Sequence, residues 1–144
     1  MSSGGKYNCR RALVSITVEG KVDERFGPTL GEWSKRSSEG KKKRLKYLGD
    51  TLEKDFAGAS DIRYQLIHRT ASAVILAKNF FSKNALMLVH SFSRENSWFE
   101  DYAKFVELFG AKAELNQICR AYNPIRGVNL YFGWVKGATR YLNR

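Results

Sequence analysis

The fold of this 144-residue chain is decided by residues 12–22, Ala12-Leu13-Val14-Ser15-Ile16-Thr17-Val18-Glu19-Gly20-Lys21-Val22. Apolar and polar residues alternate strictly along this stretch. One set is Val14, Ile16, Val18 and Val22, and the other is Ser15, Thr17, Glu19 and Lys21. Successive side chains of a strand point to opposite faces, so alternation with a period of two predicts a half-buried β-strand.

The polar face of this strand ends in a carboxylate and an ammonium. Glu19 and Lys21 lie side by side, about 7 Å apart along an extended chain. A carboxylate can ligate Mg²⁺, and a nearby ammonium can orient the water that the metal activates. The pair is therefore a candidate catalytic site with Glu19 as metal ligand, and the alternative is a charge pair without chemistry. Asp23 shares this face if the strand continues, which makes it a candidate second metal ligand.

The charge of the chain is strongly positive and unevenly distributed. Lys and Arg number 25 against 14 Asp and Glu, which gives a net charge of +11. Residues 1–48 contain 12 of these cations and 5 of the acids, so +7 of the net charge lies in the first third. Clustered positive charge predicts a polyanionic partner, and nucleic acid is the first candidate. The alternative is that the charge only keeps the protein soluble.

The length and composition predict one domain with a hydrophobic core, at 43% hydrophobic residues. We assign residues 12–144 to this domain and residues 1–11 to a flexible, basic N-terminus. The chain has no apolar run of transmembrane length and no signal-peptide pattern, which predicts a cytoplasmic protein without a membrane partner. Cys9 and Cys119 are expected to be free thiols, with a disulfide as the alternative.

Hydrophobic periodicity and turn residues predict the remaining elements. Predicted helices cover residues 30–33, 39–54, 62–80 and 98–109, predicted strands cover 85–90 and 128–135, and 113–122 is irregular or helical. This order indicates an α/β fold with a small mixed sheet flanked by helices. Three strands make a thin sheet. Either a further strand lies near the N-terminus, or a partner chain completes the sheet, for example in a homodimer through an exposed sheet edge.

Two predicted helices carry candidate phosphate contacts. The first contains the basic run Lys41, Lys42, Lys43 and Arg44, which can lie along a phosphate backbone or form a solvated face. On the second, Gln65 and Arg69 share a stripe at a spacing of four residues, which could face the same cleft as Glu19. His68 lies either near that site or partly buried on the helix.

Three stretches carry a resemblance to a known family. They are Val18–Glu24 with Phe26–Trp33, Arg63–Ala73, and Met87–Ser93 with Trp98–Asp101. Together they resemble an uncharacterised bacterial family related to the PD-(D/E)xK nuclease superfamily, which has the restriction-endonuclease-like fold. The resemblance extends from about Leu13 to Gly137.

The resemblance implies a nuclease-type site on the sheet. Glu19 and Lys21 match the (D/E)xK half-motif, and Gln65 matches the polar position on the helix that follows. Arg63 and Arg69 become candidate nucleic-acid contacts, and Mg²⁺ is the implied cofactor if the site is active. One feature departs from the superfamily: residues 1–11 contain no Asp or Glu for the metal-binding position that precedes the Glu-x-Lys strand. The chain thus resembles a core that lacks its first elements.

Three functions follow as hypotheses. The first is a nucleic-acid-interacting protein on a nuclease-like fold, and a candidate Mg²⁺-dependent nuclease with an incomplete site. The second is a catalytically inactive, basic phage or mobile-element factor that binds nucleic acid or inhibits a nucleic-acid-handling defence complex. The third is a structural subunit whose sheet edge pairs with another chain. The sequence leaves open whether the protein is an enzyme.

Overall fold

The computed structural model describes residues 12–36, 38–138 and 140, so the predicted basic N-terminus and Cys9 lie outside the described residues. Eight elements follow one another along the chain: β1 (Val14–Lys21), α1 (Leu30–Ser34), α2 (Glu39–Leu52), α3 (Tyr64–Asn79), β2 (Asn84–Ser91), α4 (Phe99–Glu107), β3 (Gln117–Arg120) and β4 (Asn129–Lys136). No helix in these ranges combines the length and hydrophobicity that crossing a membrane requires.

The four strands form one mixed sheet in the order β1-β2-β4-β3. β1 and β4 both run parallel to β2, and β3 pairs antiparallel with β4. The predicted α/β fold with a small mixed sheet flanked by helices is confirmed. The fourth strand is β3, which lies in the segment 113–122 that was predicted to be irregular or helical. A four-residue strand is too short for a periodic signal, and it obtains its hydrogen bonds from β4.

The helices pack on one face of the sheet. Two right-handed crossovers that add strands in the same direction place their helices on the same side. Accordingly α3 packs against β1 and β2, while Phe105 of α4 meets Phe132 of β4 edge to face. α2 packs on α3 as an outer layer. The hydrophobic core lies between the sheet and these helices, and its largest buried side chains include Trp134, Tyr102, Phe26, Phe105 and Phe132.

The alternation of β1 is oriented opposite to the usual arrangement of a half-buried strand. Its polar residues face the helices, and Glu19 and Lys21 are only 7% and 5% exposed. Its apolar residues face away from them, with Ile16 50% exposed. The parallel register with β2 pairs Glu19 with Val89, a core residue, so both side chains point toward α3. This orientation buries the Glu-x-Lys pair under a helix.

Candidate functional site

Lys21 lies at the centre of a buried polar cluster between β1 and α3. Its Nζ atom is 3.2 Å from Oε1 of Glu19, and it donates to Oε1 of Gln65 at 2.9 Å and to the carbonyl oxygen of Arg25 at 3.2 Å. The ring of Phe26 closes the cluster, with its centroid 5.2 Å from Nζ. An ammonium has three donors. Two of them bond to Gln65 and Arg25, and the ammonium also faces Glu19 in an ion pair, so Lys21 is held by protein oxygens and is only 5% exposed.

Arg69 donates a hydrogen bond to the second oxygen of the Glu19 carboxylate. Its Nε atom donates to Oε2 at 2.6 Å, a short charge-assisted bond. The backbone oxygen of Arg69 accepts a hydrogen bond from Thr17 at 3.0 Å, which fixes α3 against β1. The structure therefore brings Glu19, Lys21, Gln65 and Arg69 together, and each carboxylate oxygen of Glu19 faces a cation.

Neither acid that follows β1 joins this cluster. The carboxylate of Asp23 accepts from the Ser97 hydroxyl at 3.4 Å, and its carbonyl accepts from the indole of Trp98 at 2.7 Å. Glu24 accepts from the backbone N–H of Val22 at 3.0 Å. Hydrogen bonds from its own backbone N–H and from that of Val22 hold the pKa of Glu24 below its ordinary value. Both acids belong to the turn beyond the strand.

The donor set does not fit the Mg²⁺ site that the nuclease resemblance implies. Mg²⁺ binds in octahedral geometry and usually requires more than one acidic or phosphate oxygen. Among the residues that the structure describes, Glu19 is the only carboxylate of the cluster, and it is already neutralised by two cations. Within the described ranges, no three His, Cys, Asp or Glu side chains are grouped closely enough to hold a metal ion.

Arg63 is turned into the protein and is largely buried. Its Nε atom donates to Asp101 of α4 at 3.0 Å, and Nη1 donates to the carbonyl of Gly27 at 3.1 Å. Its guanidinium carbon lies 5.3 Å from the ring centroid of Trp98. Arg63 thus connects the start of α3 with α4, and its role as a nucleic-acid contact stays a prediction that this position disfavours.

A groove lies beside the buried cluster, between α2 and α3. It has a volume of about 300 Å³. Its lining consists of Gly27, Pro28, Arg44, Tyr64, Gln65, His68 and Arg69. No acidic residue lines the groove, whereas two arginines do. Arg44 and Arg69 are 25 positions apart in the sequence, so only the packing of α2 on α3 places them in one groove.

The basic run on α2 divides into engaged and free cations. Lys42 pairs with Glu39, and Lys41 donates to the backbone oxygen of Trp33 at 3.1 Å. Among the residues that the structure describes, Lys43 and Arg44 form no ion pair and both are exposed. Of these two residues, Arg44 lines the groove, and Lys43 precedes it on the same helix.

These features define a class of protein: a small α/β domain with a buried Glu–Lys–Arg cluster below a basic groove. Residues 7–139 match the family described as a domain of unknown function, DUF6946, and the chain belongs to that family. No curated protein and no solved structure matches the chain. The relationship to PD-(D/E)xK nucleases stays a prediction from the sequence resemblance.

Proposed function

We propose that the protein binds nucleic acid through a basic surface formed by Lys43, Arg44, His68 and Arg69. The observation that carries this proposal is the acid-free groove between Arg44 and Arg69, in which Arg44 is exposed and forms no ion pair among the described residues. A phosphate backbone is the ligand that such a row of cations attracts. A net charge of +11 would also steer a polyanion toward this surface.

Arg69 is the residue best placed to contact a phosphate. Its Nε donates to Glu19, and its side chain is 42% exposed. The two terminal nitrogens of the guanidinium therefore remain for a ligand. A guanidinium held by a carboxylate on one side is pre-organised for a phosphate on the other. In this proposal Glu19 and Lys21 position Arg69, and they do not perform metal-dependent cleavage.

The aromatic rings near the basic surface favour backbone contacts over base stacking. Tyr64 lines the groove, but its ring stacks on Trp33 at a centroid distance of 4.6 Å and an interplanar angle of 13°. A ring that is already stacked on this face is a poor platform for an unpaired base. The proposal therefore specifies duplex nucleic acid, bound through its phosphates. A nucleic-acid partner also implies a cytoplasmic location.

Reversing the two free charges is expected to weaken binding. The double variant Lys43→Glu/Arg44→Glu should lose about tenfold to a hundredfold in affinity at low salt, because two phosphate contacts become repulsive. The slope of log affinity against log salt concentration should fall by about two. Fluorescence anisotropy with a short labelled duplex, measured over a range of salt concentrations, gives both quantities.

The matched control is Lys42→Glu/Lys46→Glu, which makes the same charge change on the same helix. Both lysines are exposed and already paired, Lys42 with Glu39 and Lys46 with Asp50, so this variant should lose less affinity. Equal losses in the two variants would point to non-specific attraction by the net charge. No binding by the wild-type protein at low salt would contradict the proposal outright.

A further inference from the structure

The second face of the sheet, which points away from the helices, is apolar. We call it the open face. Its apolar part is formed by Val14, Ile16, Val18, Leu86, Leu88, Tyr131, Gly133, Val135 and Ile118, and the polar side chains on the same face are Asn84, His90, Arg120 and Asn129. The register places Ile16 beside Leu86, and both Leu88 and Ile118 beside Gly133. A methyl group built on Gly133 would lie 2.9 Å from Leu88 and 3.4 Å from Ile118, so these side chains meet over the glycine.

Much of the open face is accessible to solvent in the monomer. Val14, Ile16 and Val18 are 41–52% exposed, and Ile118 at the opposite edge is 59% exposed. The helices whose contacts are described above all pack on the other face. Sheets built from parallel strands are ordinarily covered on both sides, and soluble monomers seldom expose an apolar patch of this extent. The open face is therefore expected to be covered by another chain.

The open face carries almost none of the protein's charge. Its strand positions include two residues that can carry a positive charge, His90 and Arg120. Arg120 is engaged within the face, because it donates to Asn129 at 2.8 Å and lies over the ring of Tyr131. The net charge of +11 thus lies elsewhere. This face offers a nucleic acid only one arginine, which is already engaged, whereas a second, largely apolar surface matches it.

We infer that two copies of this chain pack open face to open face. Three eight-residue strands and one four-residue strand cover about 450 Å² in projection, from strand spacing and rise. The accessible surface of the side chains is larger than this projected area. Two faces together would therefore bury a total accessible surface on the order of 1,200–1,500 Å², within the range of specific interfaces. The area of the face is thus sufficient for a stable dimer.

A second copy is also the occupant that the charge distribution favours. In a two-fold dimer the same patch meets itself, so an apolar face packs on an apolar face, and two sheets can stack about 10 Å apart with interdigitating side chains. This arrangement keeps the highly charged helical layers on the two outer sides. Residues 1–11 are a poor alternative cover, since they contain three cations, Lys6, Arg10 and Arg11, and few apolar side chains. The dimer leaves both basic surfaces free and does not depend on the nucleic-acid proposal.

Light scattering coupled to size exclusion, together with sedimentation equilibrium, tests the dimer on the full chain. The wild-type protein should have twice the 16.5 kDa mass of the monomer. Ile16→Lys and Ile118→Lys should each shift it to the monomer mass at the same concentration. Both residues are exposed, so thermal unfolding of each variant should remain cooperative. Tyr47→Lys is the matched control, because Tyr47 is 59% exposed on α2 and its substitution should leave the dimer intact.

The two lysine variants also distinguish this arrangement from association through a sheet edge. Ile16 lies on the edge strand β1 and Ile118 on the opposite edge strand β3. Edge pairing through one strand would be disturbed by one substitution and not by the other, which would overturn the face-to-face dimer. A wild-type protein that stays monomeric up to the highest soluble concentration would overturn it as well, and would assign the open face to a different partner.

Discussion

Replacing Glu19 with alanine is expected to lower the free energy of unfolding by about 3–5 kcal/mol, the cost of breaking a buried ion pair. The substitution leaves the ammonium of Lys21 buried, with only the neutral oxygens of Gln65 and Arg25 as partners. It also releases Arg69, which holds α3 against β1 through this carboxylate. Urea unfolding followed by circular dichroism measures the change.

Two further variants separate the ion pair from a general effect of truncation. Glu19→Ala/Lys21→Met removes both buried charges and should recover a large part of the lost stability, because apolar groups replace a buried pair at little cost. Glu32→Ala removes an exposed carboxylate that pairs with Arg25, and should cost less than about 1 kcal/mol. A Glu19→Ala variant as stable as the wild type would show that the cluster does not support the fold.

A second substitution at this position, Glu19→Gln, distinguishes a structural from a catalytic role of Glu19. Glu19→Gln keeps the size of the side chain and removes its charge, and its single acceptor oxygen can serve either Lys21 or Arg69. In our proposal, neither the wild type nor this variant cleaves nucleic acid when Mg²⁺ or Mn²⁺ is titrated. Metal-dependent cleavage by the wild type that disappears in a folded Glu19→Gln variant would instead establish the nuclease that the resemblance implies.

Arg63→Ala is expected to destabilise the protein by a similar amount, about 3–5 kcal/mol. The carboxylate of Asp101 is only 18% exposed and would lose its cation, and the carbonyl of Gly27 would lose a donor. The stacking of the guanidinium on Trp98 would be lost as well. Thermal unfolding gives the loss as a shift of Tm.

The charge-free pair Arg63→Met/Asp101→Leu should be more stable than Arg63→Ala, since no charge remains buried without a partner. Lys104→Ala is the control, because Lys104 and Asp61 form an exposed pair at 3.9 Å whose loss should be nearly neutral. Duplex binding by the folded double variant should equal that of the wild type. A loss of affinity at wild-type stability would restore Arg63 as a nucleic-acid contact.

The sequence predicted much of the secondary structure because the signals are local. Alternation located β1, a continuous apolar run located β2, and an amphipathic pattern located α4. β3 was missed, since a four-residue strand has no period of its own and is stabilised by its pairing with Phe132 and its neighbours on β4. Within the candidate site, the spacing of Gln65 and Arg69 indicated a common helical face. Nothing local indicated that Arg69 would bind Glu19, 50 positions earlier.

The sequence by itself determined that a strand lies within residues 12–22, that Glu19 and Lys21 share one of its faces, and that the chain is strongly basic. Only the tertiary structure decided which face of that strand the helices cover. A period of two assigns residues to faces, but the direction of the crossovers and the register with β2 select the buried face. That choice placed a carboxylate between two cations and left the apolar face open, while the packing of α2 on α3 formed the basic groove beside the cluster.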